Sequence, residues 1–269
     1  MPLRLSAFIV GLTLAATQCD SGRVKKTETP ESSGISKIYA LKYGESLYTA
    51  KLVNTPSRDA KVRLNWLAYL VEHSDGKRTL VDCGFSDPKL LRRFAIQKFR
   101  SVTDILSSLS ILPGQIDRII LTHTHFDHAL DVDKFPQAQI ILHTKEFTDP
   151  EEPALKPVLT ALKGTGRIHT TTEATTIGGL KIEPALGHTP GSLVVRVAHA
   201  GKDIVFTGDE CYFAESCRAG IPLPAGAVYS AKANRQFIQS LSPQVVILTG
   251  HETEFRNGRW LTDYVFFFF

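Results

Sequence analysis

No apolar stretch in the sequence is long enough to cross a bilayer as a permanent helix, which takes about 20 residues. Charge of one sign is lacking too: 31 Lys and Arg against 27 Asp and Glu leave a formal net charge of +4. No focused basic stripe and no nucleic-acid-binding motif accompanies that mild surplus, so no nucleic-acid partner is expected. The short cluster of Arg92, Arg93, Lys98 and Arg100 reads as a solvated helix face. From Ile35 onward there is no Pro/Ser-rich break and no internal repeat, which argues against a string of tethered modules. What remains is ordinary: 43% hydrophobic and 22% charged residues, enough to bury a full core.

The first twenty residues differ from the rest. Met1–Arg4 makes a short positive start, and Leu5–Ala16 is an uncharged apolar run of roughly a dozen residues, the length of an export signal's apolar region. The ending Leu14-Ala15-Ala16-Thr17-Gln18-Cys19 resembles a bacterial lipobox, with Cys19 as the residue to be lipidated after cleavage. Gln18 departs from that pattern, where a small residue is usual, and ordinary signal-peptidase cleavage is the alternative. Residues 20–34 hold one aliphatic side chain, Val24, and cannot pack. They read as a flexible tether between a signal segment, 1–19, and a folded domain, 35–269. The expected location is therefore outside the cytoplasm, anchored to a bacterial membrane through Cys19. Cysteine is scarce, four in the chain. With Cys19 set aside, Cys211 and Cys217 could bridge a short loop, and Cys83 reads as a small buried residue.

Within the folded region, Arg63–Glu72 reads as a strand, Asp75-Gly76 as a hairpin turn, and Thr79–Asp82 as the returning strand. Asp87-Pro88 caps a helix expected to run to about Phe99, and a second helix spans roughly Val102–Leu109. Asp117–Thr122 and Gln139–Leu142 follow as strands, then a helix near Pro153–Leu162. Strands near Leu180, Leu193, Ile204 and Val245 and a helix over Ala231–Leu241 complete an alternation that argues for α/β layers, sheets covered by helices. The terminal Phe266–Phe269 run is read as packing against the domain.

The chemistry sits in His123-Thr124-His125-Phe126-Asp127-His128, directly after an apolar strand. Imidazoles and a carboxylate are donors suited to zinc, and iron or manganese fit the same set. This block, with Val81-Asp82-Cys83-Gly84, Gly187-His188-Thr189-Pro190-Gly191-Ser192, Thr207-Gly208-Asp209 and Gly250-His251, resembles the metallo-β-lactamase superfamily over residues 36–255. The resemblance implies a four-layer αβ/βα sandwich and a hydrolase with two metal ions. His123, His125 and His188 would bind the first ion, Asp127, His128 and His251 the second, and Asp209 both. Asp82 would hold a ligand histidine from behind. His143 has no partner motif and reads as packing; His73, His169 and His199 read as surface residues.

Asp209 and the three-histidine group set the chain apart from the zinc β-lactamases, and no long insertion exists for a nuclease domain or an RNA-binding arm. The histidine block, the Thr-Pro-Gly turn and Asp209-Glu210-Cys211-Tyr212 are similar to the N-acyl homoserine lactone lactonases. In that likeness Tyr212 contacts the substrate carbonyl, while Asp127 or Asp209 passes a proton to the leaving alkoxide. Two cations lower the pKa of a water between them, which would attack an ester or lactone carbonyl. Two other readings stay open: a one-iron oxidoreductase resembling the persulfide dioxygenases, and a thioester hydrolase of the glyoxalase II type.

Cys19 offers a direct test of the export reading. Two or three acyl chains, at about 0.8 kcal/mol per buried CH₂, would anchor the chain firmly. Fractionation should find the wild type with membranes and Cys19→Ala in a soluble or unprocessed pool. A cytosolic protein with its first residues intact would defeat the reading.

Overall fold

Two long strands near the start of the folded region form the spine of the first sheet. In the computed structural model, which describes residues 34–55 and 60–269, β1 (Ile35–Thr49) runs antiparallel to β2 (Lys61–His73). Side chains alternate along both, with Tyr39, Leu41, Trp66, Ala68 and Leu70 packing on one face and Ile38, Ala40, Leu67, Tyr69 and Val71 on the other. Strands buried on both faces need near-continuous apolar sequence, which is what β2 has. The turn at Asp75-Gly76, with Gly76 at φ +83°, leads back into β3 (Arg78–Val81) as the sequence predicts.

From β3 the sheet grows by parallel addition of β4 (Arg118–Ile120), β5 (Gln139–His143) and β6 (Ile168–Thr171). A second sheet is built from β7 (Thr175–Ile177), β8 (Leu180–Pro184), β9 (Leu193–His199), β10 (Lys202–Gly208) and β11 (Val246–Thr249), in the order β11-β10-β9-β8-β7. The chain then returns to the first sheet as β12 (Gly258–Thr262) and β13 (Val265–Phe268), completing the order β12-β13-β1-β2-β3-β4-β5-β6.

The sheets pack through Ile38, Tyr69 and Ile120 on one side and Ile182, Val195 and Phe206 on the other. Helices Val102–Ser108 and Leu155–Gly164 cover the outer face of the first sheet, and helix Ala231–Ser240 covers the second through Phe237 and Ile238. The result is the expected four-layer αβ/βα sandwich. Among the described residues no helix is long and apolar enough to cross a membrane. The signal segment, Cys19 and all of the tether but Gly34 lie outside the described residues.

Two expectations are corrected. The helix opened by Asp87 ends at Arg93 rather than near Phe99. Asp87 does cap it, accepting from Lys89 N and Leu90 N. Past Phe94, however, Ala95 and Lys98 take left-handed φ, and Gln97 forms backbone hydrogen bonds with Glu45 of β1, which a continuing helix would forbid. His73 is not a surface residue: it is 3% exposed, and its Nε2 lies 2.8 Å from Thr79 Oγ1 across the hairpin. Burial, with Arg118 nearby, lowers its pKa. His169 is exposed, as expected. His143 is buried, with its Nδ1 accepting from Lys145 N, a packing and capping role.

Cys211 and Cys217 are joined in a disulfide, their Cα atoms 5.9 Å apart, while Cys83 is free and buried. Val265 and the first three terminal phenylalanines form β13 (Val265–Phe268): Phe266 and Phe268 enter the core between the sheets, while Phe269, past the strand, stays 59% exposed. Phe268→Ala should therefore destabilise the protein by about 3–5 kcal/mol, while Phe269→Ala should stay within about 0.5 kcal/mol. Denaturant unfolding of the two variants would measure the difference, and equal effects would contradict the packing described.

Candidate metal centre

The seven histidine and aspartate residues singled out in the sequence come from four separate stretches of the chain and converge at one end of the sandwich. His123 and His125 follow β4, and the short helix Phe126–Ala129 carries Asp127 and His128. His188 comes from the loop between β8 and β9, Asp209 directly follows β10, and His251 lies two residues past β11. Parallel strands β10 and β11 end together, which brings Asp209 and His251 side by side. Gly250 makes this approach feasible, because a Cβ there would sit 2.6 Å from Asp209 Oδ1 and 2.8 Å from His128 Cε1.

The side chains fall into two groups. His123, His125 and His188 form one, and Asp127, His128, Asp209 and His251 the other. In the first, His125 Nδ1 lies 3.0 Å from both His123 Nε2 and His188 Nε2. A tetrahedral ion with Zn–N bonds of 2.0–2.1 Å would set its nitrogens about 3.3 Å apart, so this trio fits one cation. In the second, Asp127 Oδ2 is 3.3 Å from His128 Nε2 and 3.5 Å from His251 Nε2. Asp209 spans both groups. Its Oδ1 lies 3.2 Å from His128 Nε2 and 3.4 Å from His251 Nε2, and its Oδ2 lies 3.7 Å from His188 Nε2.

Outer partners fix which ring nitrogens face inward. His188 Nδ1 is 2.7 Å from Ala227 O, and His251 Nδ1 is 3.0 Å from Asn65 O. A carbonyl only accepts, so each Nδ1 carries the hydrogen and each Nε2 presents a lone pair to the centre. His128 Nδ1 meets Asp82 Oδ2 at 2.7 Å in the same way. Asp82 also accepts from Thr122 N at 2.8 Å and from its hydroxyl, and it adopts φ +62°, a conformation that Asp tolerates better than most residues. It is thus held behind His128, where the sequence put it.

The electrostatics call for positive charge. Burial disfavours a charged His128, yet Asp127, Asp209 and Asp82 around it carry its pKa well above the usual value. His251 is raised against burial by Asp209 and Asp127. Burial alone would raise both aspartates, but His128 and His251 lower Asp127, and the same two histidines take Asp209 well below its usual range. His123 is lowered well below normal, by burial and then by His128, His188 and His125, so it is a neutral donor. His128 Nε2 and Asp209 Oδ1 are both buried with no hydrogen-bond partner. Among the described residues no Lys or Arg is buried to answer them. Cations in the two groups would satisfy the orphaned atoms and the surplus of negative charge together, so the residues present fit them.

A pocket of about 240 Å³ opens over the centre. Leu52, Val53, Leu64, Trp66, Phe94 and Phe126 line it, while Asp127, His188, Asp209 and His251 reach it from below. Tyr212 also lines it, its ring 6.2 Å from that of His188 and 5.6 Å from that of His251. The sequence reading missed Tyr48, a second tyrosine of the lining, because nothing in its local pattern marks it. Burial, then Asp127 and Asp209, pushes Tyr48 up to about 12; burial, then Asp209 and Asp127, raises Tyr212 as well. Both stay phenols at any working pH. Also missed were Glu146 and Glu210, each 1% exposed and hydrogen-bonded to the His188 loop.

A family model described as the metallo-beta-lactamase superfamily matches residues 65–251. Among solved structures, an N-acyl homoserine lactone hydrolase with the product N-hexanoyl-L-homoserine at its catalytic metal centre is 19% identical, with a TM-score of 0.68 over 81% of this chain and 94% of the other. A dizinc quorum-quenching lactonase, AidC, is 16% identical at a TM-score of 0.61, covering 88% and 97%. A probable metal-dependent hydrolase from Staphylococcus aureus is 18% identical at 0.66, covering 82% and 90%. At such identities these likenesses speak for the fold.

Proposed function

The chain belongs to the metallo-beta-lactamase superfamily, and from that premise we propose that it is a two-metal hydrolase that opens a lactone, or cleaves a related ester, carrying an apolar arm. The observation that carries this reading is the span of Asp209, one oxygen facing His128 and His251 and the other facing His188. A one-iron oxidoreductase needs the ligands of a single ion, so the complete second group of Asp127, His128 and His251 favours the hydrolase.

In this reading His123, His125 and His188 hold one cation, Asp127, His128 and His251 the other, and Asp209 both. Zinc suits this donor set, and it is the metal named for the lactonase AidC; iron or manganese fit the same donors. When bound, the cations supply the Lewis acidity that polarises a carbonyl and readies water for attack near neutral pH.

The chain's own residues account for the rest. Tyr212, kept protonated, donates its phenol hydrogen to the carbonyl oxygen as negative charge develops there. Asp127 or Asp209, both held as carboxylates by His128 and His251, takes the proton lost by the attacking water and passes it to the leaving alkoxide. The wall of Val53, Leu64, Trp66, Phe94 and Phe126 sheds water and binds the substrate's apolar arm, at about 0.8 kcal/mol per buried CH₂. The mouth of this pocket carries Leu52, 64% exposed, an apolar side chain positioned to meet the arm as it enters.

Ring opening of short- and long-chain acyl homoserine lactones by metal-loaded protein, followed by proton release beside glutathione thioesters and β-lactams, tests the proposal. Lactones should be turned over. Tyr212→Phe should lower kcat by up to about 10²-fold with metal content unchanged, and Asp127→Asn should nearly abolish turnover. No hydrolysis of any lactone by the fully loaded enzyme would overturn the lactone reading. A preference for thioesters would move the protein to the glyoxalase II type. About one iron per chain, with no recovery by zinc, would make it an oxidoreductase.

A further inference from the structure

Two buried carboxylates outside the ligand groups grip the loop that carries His188 from two sides. Glu210 Oε1 accepts from Gly187 N at 2.8 Å, His188 N at 2.9 Å and Ser192 Oγ at 2.6 Å, while its Oε2 accepts from Asn234 Nδ2 at 2.9 Å. Glu146 Oε1 accepts from Thr189 Oγ1 at 2.6 Å and Gly191 N at 3.1 Å. Its Oε2 accepts from the backbone of Thr124 at 2.8 Å and from the Thr124 hydroxyl. Thr124 stands between His123 and His125, so Glu146 ties all three histidines of the first group to one anchor.

The glycines of the loop are explained by the same contacts. A Cβ on Gly187 would overlap Glu210 Oε2, and one on Gly191 would lie 2.7 Å from Glu146 Cγ. Burying two carboxylates costs several kcal/mol each unless donors surround them, and here donors do so on the backbone of a histidine's own loop. An apolar pair would hold a loop in place more cheaply. Charge-assisted bonds to consecutive N–H groups fix its orientation as well as its place.

We propose that Glu146 and Glu210 are positioning residues that set His188 against His123 and His125, so that the three-histidine group depends on them and the Asp127/His128/His251 group does not. The assignment of the groups to cations rests on the function proposed above; the clasp itself rests on the contacts. A third buried carboxylate serves as control. Glu252 accepts from Ala214 N, Thr253 N and Glu254 N, none of which belongs to the His188 loop.

The test has two arms on the full folded protein. In the first, metal-free protein is titrated with cobalt(II) and followed by visible d–d absorption, which separates the two groups by their coordination. Glu210→Gln and Glu146→Gln, which keep side-chain shape, should weaken the three-histidine group roughly 10–100-fold and leave the other unchanged. Glu252→Gln should alter neither. In the second arm, long-range ¹H–¹⁵N spectra of the metal-free protein read the His188 tautomer, which the Ala227 carbonyl fixes with hydrogen on Nδ1. Glu210→Gln should lose that tautomer and Glu252→Gln should keep it. If Glu210→Gln and Glu146→Gln leave the tautomer unchanged, or weaken both groups alike in step with a fall in Tm, the clasp is refuted. A wild type that takes up fewer than two cobalt ions would count against the two-metal reading, while the tautomer arm would still decide the clasp.

Discussion

Negative charge buried with no buried lysine or arginine among the described residues to answer it is the constraint on which this structure depends. Asp82, Asp127, Asp209, Glu146 and Glu210 lie within the end of the sandwich where the histidines meet, each no more than 5% exposed. Three of the five are answered by donors from the chain: Asp82 by Thr122 and His128, Glu146 by Thr124, Thr189 and Gly191, Glu210 by Gly187, His188, Ser192 and Asn234. Asp127 and Asp209 are different. They face imidazole nitrogens whose hydrogens are mostly committed elsewhere, an arrangement that a cation would complete.

The fold supplies that arrangement by ending strands together. Parallel pairing of β3, β4 and β5 puts Asp82 and the histidine block at one edge, and parallel pairing of β10 and β11 does the same for Asp209 and His251. The two sheets are locked by the apolar layer between them, so the ligand edges cannot slide without breaking core packing. Buried carboxylates then fix the one ligand, His188, that comes from a loop between antiparallel strands.

Much of this was legible in the sequence because its signals are local. The histidine block follows an apolar strand, the Asp75-Gly76 turn declares its hairpin, and helix Ala231–Ser240 lies within one residue of its expected end. Family resemblance carried the grouping of ligands, since no local pattern says that His188 joins His123. What could not be read depends on distant partners. Strand β1 contains Gly44, Glu45 and Ser46, polar interruptions that make sense only once Glu45 is seen to meet Arg63 and Lys98, and Ser46 to meet Trp66. The helix after Asp87 stops early because β1 captures the backbone of Gln97. His73 is buried because Thr79 lies across a hairpin from it, and Glu146 and Glu210 look like ordinary charged residues until the loop of His188 closes on them.

Anomalous diffraction at the zinc edge, from crystals of zinc-loaded protein, reads the central claim most directly. The account predicts two peaks: one among His123 Nε2, His125 Nδ1 and His188 Nε2, the other among Asp127, His128 and His251. Both should lie within about 2.2 Å of an Asp209 oxygen. A single peak in fully loaded crystals, or two peaks with Asp209 bound to neither, would contradict it.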